Sequence, residues 1–502
     1  MAITTFAAID VGSSELSMKV FEVSKGTGIT EIAHIRHKLL LGAETYKTGS
    51  ISYDTLSELC SVLKNFNQIM QEYQVSSYNA YATSAVREAE NTLVILDQIK
   101  LQSGIKVRIL SNSEQRFLRY KAIALKESRF SKLISEGALI ADVGAGSVQF
   151  SLFMNGHLIF TQNLKLGFAR LHELLSALEP EAFNYADLIM EYMEKDLSTF
   201  FNLYLNDVKI SHVIAMGDRI HELRHLFLQK NTKFNGFLST KEFNRLKPPV
   251  ERAIYLLPLT LLYRKVLALT ECSSIYLSDI DLCDSIVAEY AEKKEKIVPS
   301  HNFTADIISA SKKLAEKYHV SMNHIENVEY LATEIFDRIR KLHGMGKRER
   351  LLLQIGVILH SCGAYVNMNQ TRENSYKIIM STEIIGLSHM ERVIIANMVR
   401  YNSDRFPEYC TLSNELDRDS YITTVKLCAI LKIANVLDKS NRQKIQKVRI
   451  TLKDKELSIV ADTLQDITLE KGLFYRKADV FEEVFGIRPR LKQKRSVNNG
   501  KI

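Results

Sequence analysis

Two short segments hold the residue types that phosphate chemistry needs. Asp10-Val11-Gly12-Ser13-Ser14 closes the apolar run Phe6 to Ile9, and Asp142-Val143-Gly144-Ala145-Gly146-Ser147 closes the run Ala138 to Ala141. A strand that ends in Asp-x-Gly and turns tightly brings backbone N–H groups and a carboxylate to one point. The N–H groups cradle phosphate oxygens and the carboxylate holds a hard cation. Gly12, Ser13 and Ser14 with Gly144, Ala145, Gly146 and Ser147 therefore form a candidate phosphate cradle, and Asp10 and Asp142 are candidate metal ligands. An Asp that only caps its own turn produces the same local sequence, so a single loop decides little. Two loops decide more. Leu16, Met18 and Val20 alternate after the first loop, Phe150 and Leu152 after the second, and DVGSSELSMKV against DVGAGSVQFSL is an internal repeat.

The elements that must position these loops follow from periodicity. Between the copies lie helix-period segments at Thr55 to Tyr73 and Thr92 to Ser103, with strands at Asn79 to Thr83 and Lys106 to Leu110. That alternation marks an α/β layer fold. After the second copy come helices around Leu171 to Leu205, a strand at His212 to Met216, and long helices to about Glu295. Two α/β lobes are expected, 1–125 and 126–296, facing each other across a cleft as in actin, the sugar kinases and their relatives. From Phe303 the pattern turns to near-continuous helical period, giving a helical domain over 303–445. A hairpin over Lys447 to Ile459 opens a small α+β segment, 446–502, whose last dozen residues are expected to be loose.

Composition sets the outer limits. A chain of 502 residues is too long for one core, and its 46% hydrophobic and 25% charged residues, with only 7 Pro, describe an ordered globular protein. The N-terminus lacks a basic region and no apolar run reaches about 18 residues, so neither a signal peptide nor a membrane span is expected. Six cysteines without CxxC spacing fit buried thiols and a cytoplasmic location. The net charge of +8 gathers partly at Lys341 to Arg350 and Arg488 to Arg495. It suits a polyanion and equally suits solvated helix faces, and no specific nucleic-acid binding is expected.

The order of four segments resembles the successive motifs of the exopolyphosphatase and guanosine pentaphosphatase (Ppx/GppA) phosphatases. They are Asp10 to Ser14, Ala82-Thr83-Ser84-Ala85-Val86-Arg87-Glu88-Ala89, Ile109-Leu110-Ser111-Asn112-Ser113-Glu114-Gln115, and Asp142 to Ser147, and Leu277-Ser278-Asp279 adds to them. The resemblance covers essentially the whole chain. It implies two actin-like (ribonuclease H-like) α/β lobes with a duplicated phosphate-binding loop, then an all-α HD-like domain and a small α+β C-terminal cap. It also implies Arg87 gripping a terminal phosphate with its planar fork, Mg2+ at Asp10 and Asp142, inorganic polyphosphate or a guanosine polyphosphate as ligand, and a homodimer.

The departures from that pattern fall on the chemistry. The family's Ser-Gly-x-Glu-Glu-Ala reads Ser111-Asn112-Ser113-Glu114-Gln115-Arg116 here, so Gln115 replaces the glutamate implied to activate water. An amide takes no proton, and a general base contributes ~10²–10⁴ in rate. Glu114 survives, but Ser111-x-x-Glu114 is also a capping box. The glutamate ending the second loop's motif is Gln149. In the helical domain His324 and His360 match the HD histidines, whereas Ser361 and Asn435 stand where aspartates would bind metal, so no metal is expected there. Two functions stay open: a slow phosphohydrolase, or a polyphosphate or guanosine-polyphosphate binding and regulatory protein. An actin-like ATPase or sugar kinase would need a Gly-Gly turn, and Met216-Gly217-Asp218 offers one Gly.

Overall fold

Strand β1 (Thr4–Val11) is buried continuously from Phe6 to Ile9, as a central strand covered on both faces must be. It pairs antiparallel with β2 (Leu16–Ser24), which pairs with β3 (Gly28–His37); on its other side lie the parallel strands β4 (Ser77–Ala82) and β5 (Val107–Ile109). The first sheet thus runs β3-β2-β1-β4-β5. The computed structural model describes residues 3–26, 28–229, 234–247, 253–294, 297, 301–403, 405–453 and 456–494. The chain forms two units, Met1–Asp306 and Ile307–Ile502.

The second sheet repeats that plan. Strand β6 (Ala138–Val143) pairs antiparallel with β7 (Val148–Met154), which pairs with β8 (His157–Leu164); β9 (His212–Gly217) joins β6 in parallel. Two short strands, β10 (Phe237–Ser239) and β11 (Ser274–Leu277), complete the order β10-β11-β9-β6-β7-β8. Each repeat therefore begins with a hairpin of identical turn length, residues 12–15 and 144–147. Both turns close by the same bond, Gly12 N–H to Glu15 O at 3.1 Å and Gly144 N–H to Ser147 O at 2.9 Å. The first unit thus holds two sheets of like plan. The span expected to be helical up to Glu295 instead contains β10 and β11. At three and four residues they are too short to show an alternating pattern.

One helix joins the sheets. Helix Asn112–Lys126 sends Leu118 into the cluster of Phe6, Ala8, Phe21 and Ile286 beside the first sheet. Its Tyr120 packs edge-on against Phe153 of the second at 5.8 Å. Helix Leu282–Lys293, although it follows the second sheet in sequence, returns to the first, where Tyr290 stacks on Phe6 at 4.0 Å. The ends of β6 and β9 are tied by Tyr263, wholly buried on helix Ala253–Thr270, whose hydroxyl donates between the carbonyls of Ala141 (3.1 Å) and Met216 (2.7 Å).

The second unit is mainly helical, with Met322–Arg338, Lys347–Leu359, Thr371–Ser381, His389–Arg400 and Arg418–Val436 as its longer elements. It ends in a three-stranded sheet, β12 (Val448–Lys453), β13 (Glu456–Asp462) and β14 (Arg488–Lys494), with helix Thr468–Phe485 crossing between the parallel β13 and β14. Of the last dozen residues, expected to be loose, the described ones up to Lys494 belong to β14, whose Pro489 and Leu491 are buried in register with Leu457 and Ile459. The hairpin turn at 454–455 and residues 495–502 lie outside the described residues. No helix among the described residues is long and apolar enough to cross a membrane.

Replacing Tyr263 by Phe removes a buried donor from the strand ends that carry the second loop. It is expected to destabilise the first unit by about 1–2 kcal/mol, read as a lower urea midpoint without loss of the folded baseline.

Candidate functional site

The first loop is built for close approach. A Cβ on Gly12 would stand 2.7 Å from Glu15 O, so only glycine fits the turn. Asp10, Gly12, Ser13 and Ser14 all line a cleft with Thr83, Arg119 and Asp218. Ser13 is held in place: its Oγ lies 3.2 Å from Tyr46 Oη and 2.9 Å from Ser84 Oγ, and it accepts from Ala85 N–H at 3.2 Å. The segment after β4 is thereby tied to the first loop.

The second loop has the same hairpin and a different environment. Asp142 is fully buried and does not line the cleft. Arg119 donates to its Oδ1 at 2.7 Å, and with its other nitrogen Arg119 pairs with Asp218. Arg116, one turn earlier on the same helix, donates to Asp142 O at 2.6 Å and Ser147 Oγ at 2.8 Å. Asp218 in turn accepts from Ala145 N–H at 3.2 Å. Gly146 O accepts from Arg170 Nε at 2.8 Å, and the Arg170 Nη2 also donates to Glu88 at 2.9 Å. Asp218 follows β9 on a backbone that Gly217 alone permits, with φ of 130° and no space for a Cβ.

Two expectations are corrected by this geometry. Asp10 and Asp142 were expected to face the cleft together and share Mg2+. Asp142 is instead sealed behind Arg119, whose guanidinium stands between Asp142 and Asp218 and interacts with Asp10. No group of three His, Cys, Asp or Glu side chains among the described residues is arranged to hold a metal ion. A fixed cation, Arg119, stands where the pair was expected to share a metal ion. Arg87, expected to grip phosphate, turns its guanidinium to Leu110 O at 2.7 Å and Asn112 Oδ1 at 2.6 Å. Asn112 occupies the glycine position of the family pattern, so the extra side chain supplies the partner.

The positions of catalytic interest are buried. Gln115 is 8% exposed on the first turn of helix Asn112–Lys126. Gln149 pairs with Asp142 across β6 and β7, is fully buried, and neither polar atom of its side chain has a hydrogen-bond partner. Glu114 completes the capping box with Ser111 and pairs with Arg108 at 2.9 Å, so its carboxylate is committed to the helix end. In the second unit, His324 Nδ1 lies 2.7 Å from Asp438 Oδ2. His360 Nδ1 donates to Val357 O at 2.7 Å, and burial, with His324 alongside, pushes His360 down to about 4. Ser361 and Asn435 line the same cavity as the two histidines.

Sequence reasoning missed Arg116, Arg119, Asp218 and Tyr46. A signal existed for the arginines: they sit i and i+3 on a helix that begins at the motif ending in Gln115, and one charged face there must meet something. Asp218 and Tyr46 arrive from distant chain and left no local mark.

Residues 19–247 match the family model described as the Ppx/GppA phosphatase family, and residues 308–474 match that described as Ppx/GppA phosphatase, domain III. A bifunctional 3-dehydroquinate synthase/phosphatase of Fusobacterium nucleatum is 24% identical over 252 residues, which is 47% of this chain and 37% of that protein. Exopolyphosphatase 1 of Mycobacterium tuberculosis is 24% identical over 190 residues, 38% of this chain and 54% of that protein. The chain thus spans about a third to a half of the length of these two curated relatives. The crystal structure of an exopolyphosphatase from Cytophaga hutchinsonii superposes with a TM-score of 0.50 at 20% identity, covering 59% of this chain and 100% of that one. At that identity the likeness concerns the fold alone.

Burial first, and then the neighbouring Asp218, raise the Asp10 carboxyl well above its ordinary value of 3.8, against the pull of Arg119. A carboxyl raised on folding holds its proton more tightly in the folded state, so stability is lost as pH climbs above the unfolded value. Asp10→Asn is therefore expected to melt higher than the wild type at pH 7, with the gap closing as pH falls toward about 4. Melting curves across that range check it; a lower melting temperature at pH 7 would contradict it.

Proposed function

The chain belongs to the Ppx/GppA phosphatase family, and on that premise we propose that it is an exopolyphosphatase-like protein that takes up the terminal phosphate of inorganic polyphosphate, or of guanosine pentaphosphate, in the cleft of its first unit and hydrolyses it slowly. The observation that carries this is the pair of matched hairpin loops, 12–15 and 144–147, at the ends of equivalent strands, with Arg119 reaching from the cleft wall toward both. Backbone N–H groups of such turns bind anions, and a guanidinium is suited to phosphate.

Hydrolysis is slow for stated reasons. Gln115 and Gln149 accept no proton, and Glu114 is engaged at the helix end. The cleft volume is about 40 Å3, far below the ~300 Å3 of a small-ligand site, so a phosphate must displace contacts before it enters. Asp218 is the contact in question, since its carboxylate already takes the Ala145 N–H and one arm of Arg119. Arg87 reaches phosphate only by releasing Asn112. Magnesium, expected from the resemblance, has no part in this reading.

A second reading, a non-hydrolysing polyphosphate or guanosine-polyphosphate sensor, is favoured by Gln149. Its buried amide beside Asp142 removes the acidic group without opening the site to water. We read residues 303–445 as a degenerate HD-type domain and 446–502 as its cap, supported by His324 and His360 at neighbouring positions, 5.4 Å between ring centres, without acidic partners at Ser361 and Asn435. The six free thiols, five of them buried, support a cytoplasmic place, and a homodimer is the assembly to look for.

Phosphate release from polyphosphate, measured beside polyphosphate binding, tests the proposal. The wild type is expected to bind and release phosphate slowly. Gln115→Glu together with Gln149→Glu is expected to raise release by about 10²-fold, the low end for a general base, with each single change doing less. Brisk wild-type turnover that the double change does not improve would make Glu114 the first suspect as base and end the slow-hydrolase reading. An increase from an undetectable wild-type rate would select the sensor. Absence of any polyphosphate binding would remove the site itself.

A further inference from the structure

A cavity to which no function has been assigned lies within the second unit. It encloses about 600 Å3, inside the range of small-molecule sites, between the start of helix Met322–Arg338 and the end of helix Arg418–Val436. Its described lining includes Arg372 and Lys439 and no Asp or Glu. An acid-free wall carrying two cations selects anions.

The rest of the wall is not what a bare phosphate chain needs. Tyr365 is 62% exposed, with one side stacked on His319 at 5.5 Å between ring centres, and Tyr318 meets it edge-on at 5.9 Å. Tyr365, braced by His319, presents an exposed aromatic ring beside the cations, suited to a planar ring. Opposite in character are two polar atoms with no partner: Asn402 Oδ1, on a side chain only 5% exposed, and Ser361 Oγ, both buried and both on residues lining the cavity. An unsatisfied buried polar atom costs about 1–3 kcal/mol, and a ligand with hydrogen-bonding groups on a ring edge relieves that cost.

We propose that this cavity binds a nucleoside di- or triphosphate without a metal ion, its phosphates toward Arg372 and Lys439, its base on Tyr365, and a base or sugar group against Asn402 and Ser361. The site is independent of the cleft in the first unit, so neither proposal depends on the other.

Calorimetry on the full chain in EDTA, with ADP, GDP, CDP, adenosine and pyrophosphate as separate titrants, tests it. At least one nucleoside diphosphate is expected to bind about tenfold or more tightly than adenosine or pyrophosphate, since each of those keeps only one half of the contacts. Lys439→Ala and Asn402→Asp are expected to weaken that nucleotide by about tenfold or more, the second by placing an anion in the wall. Tyr365→Ala, at a position 62% exposed, is expected to weaken the nucleotide and leave pyrophosphate binding and the melting temperature unchanged. Pyrophosphate binding as tightly as the nucleotides would overturn the role of the aromatic wall. No binding at millimolar ligand, or binding that none of the three substitutions alters in properly folded protein, would overturn the site.

Discussion

The cleft of the first unit is organised by a single guanidinium. Arg119, about 3% exposed, donates to Asp142, pairs with Asp218 and lies in the field of Asp10. Those three carboxylates come from the ends of β1, β6 and the turn after β9, three segments that converge only because the sheets are duplicated. An ionised aspartate with no access to water is strongly destabilising unless a partner compensates it, and breaking such a pair costs about 3–5 kcal/mol. Arg119 is that partner. Its own burial is sustained by the carboxylates, and they push its proton affinity up despite the loss of water. Helix Asn112–Lys126 must therefore sit between the sheets in one register, with Arg116 and Arg119 toward the second loop and Leu118 toward the first sheet.

Seen from that constraint, the departures from the family pattern are coordinated. Arg116 stands at the pattern's alanine and fastens the second loop through Asp142 O and Ser147 Oγ. Asn112, at the pattern's glycine, turns Arg87 inward. Gln115 and Gln149 carry no charge where the pattern has glutamates, and Arg116 and Arg119 supply positive charge beside Asp142. Asp218 then takes the Ala145 N–H of the second loop. The cleft holds a tethered cation, Arg119, and a volume of about 40 Å3.

Much of the architecture was legible because it rests on local pattern. The repeat could be read from two Asp-x-Gly turns with alternation after them, and the hairpins are equal in turn length and closing bond. The capping box at Ser111 and Glu114 is likewise a local signal, and it formed. Strands β10 and β11 were hidden by their length, and β14 by its charge, since Arg488, Arg490 and Lys492 point to water while Pro489 and Leu491 carry the burial. The site was legible in its loops but not in its charges. Asp142 has the sequence of a metal ligand, and only the tertiary position of Arg119, 23 residues earlier, withdraws it from the cleft. Asp218 was visible as a turn residue, yet nothing near it in sequence shows that it meets Ala145.

The claim that Arg119 serves as the cleft's cation is tested most directly by the effect of magnesium on thermal stability, in the wild type and in Arg119→Ala. The wild type is expected to melt at the same temperature in EDTA and in millimolar Mg2+, since Arg119 already supplies the cation there. The variant, in which Asp10 and Asp218 lose that guanidinium and Asp142 keeps only Arg116 at 4.0 Å, is expected to melt lower in EDTA and to recover part of the loss as Mg2+ is added. A wild type that Mg2+ stabilises strongly, together with a variant indifferent to it, would contradict the account.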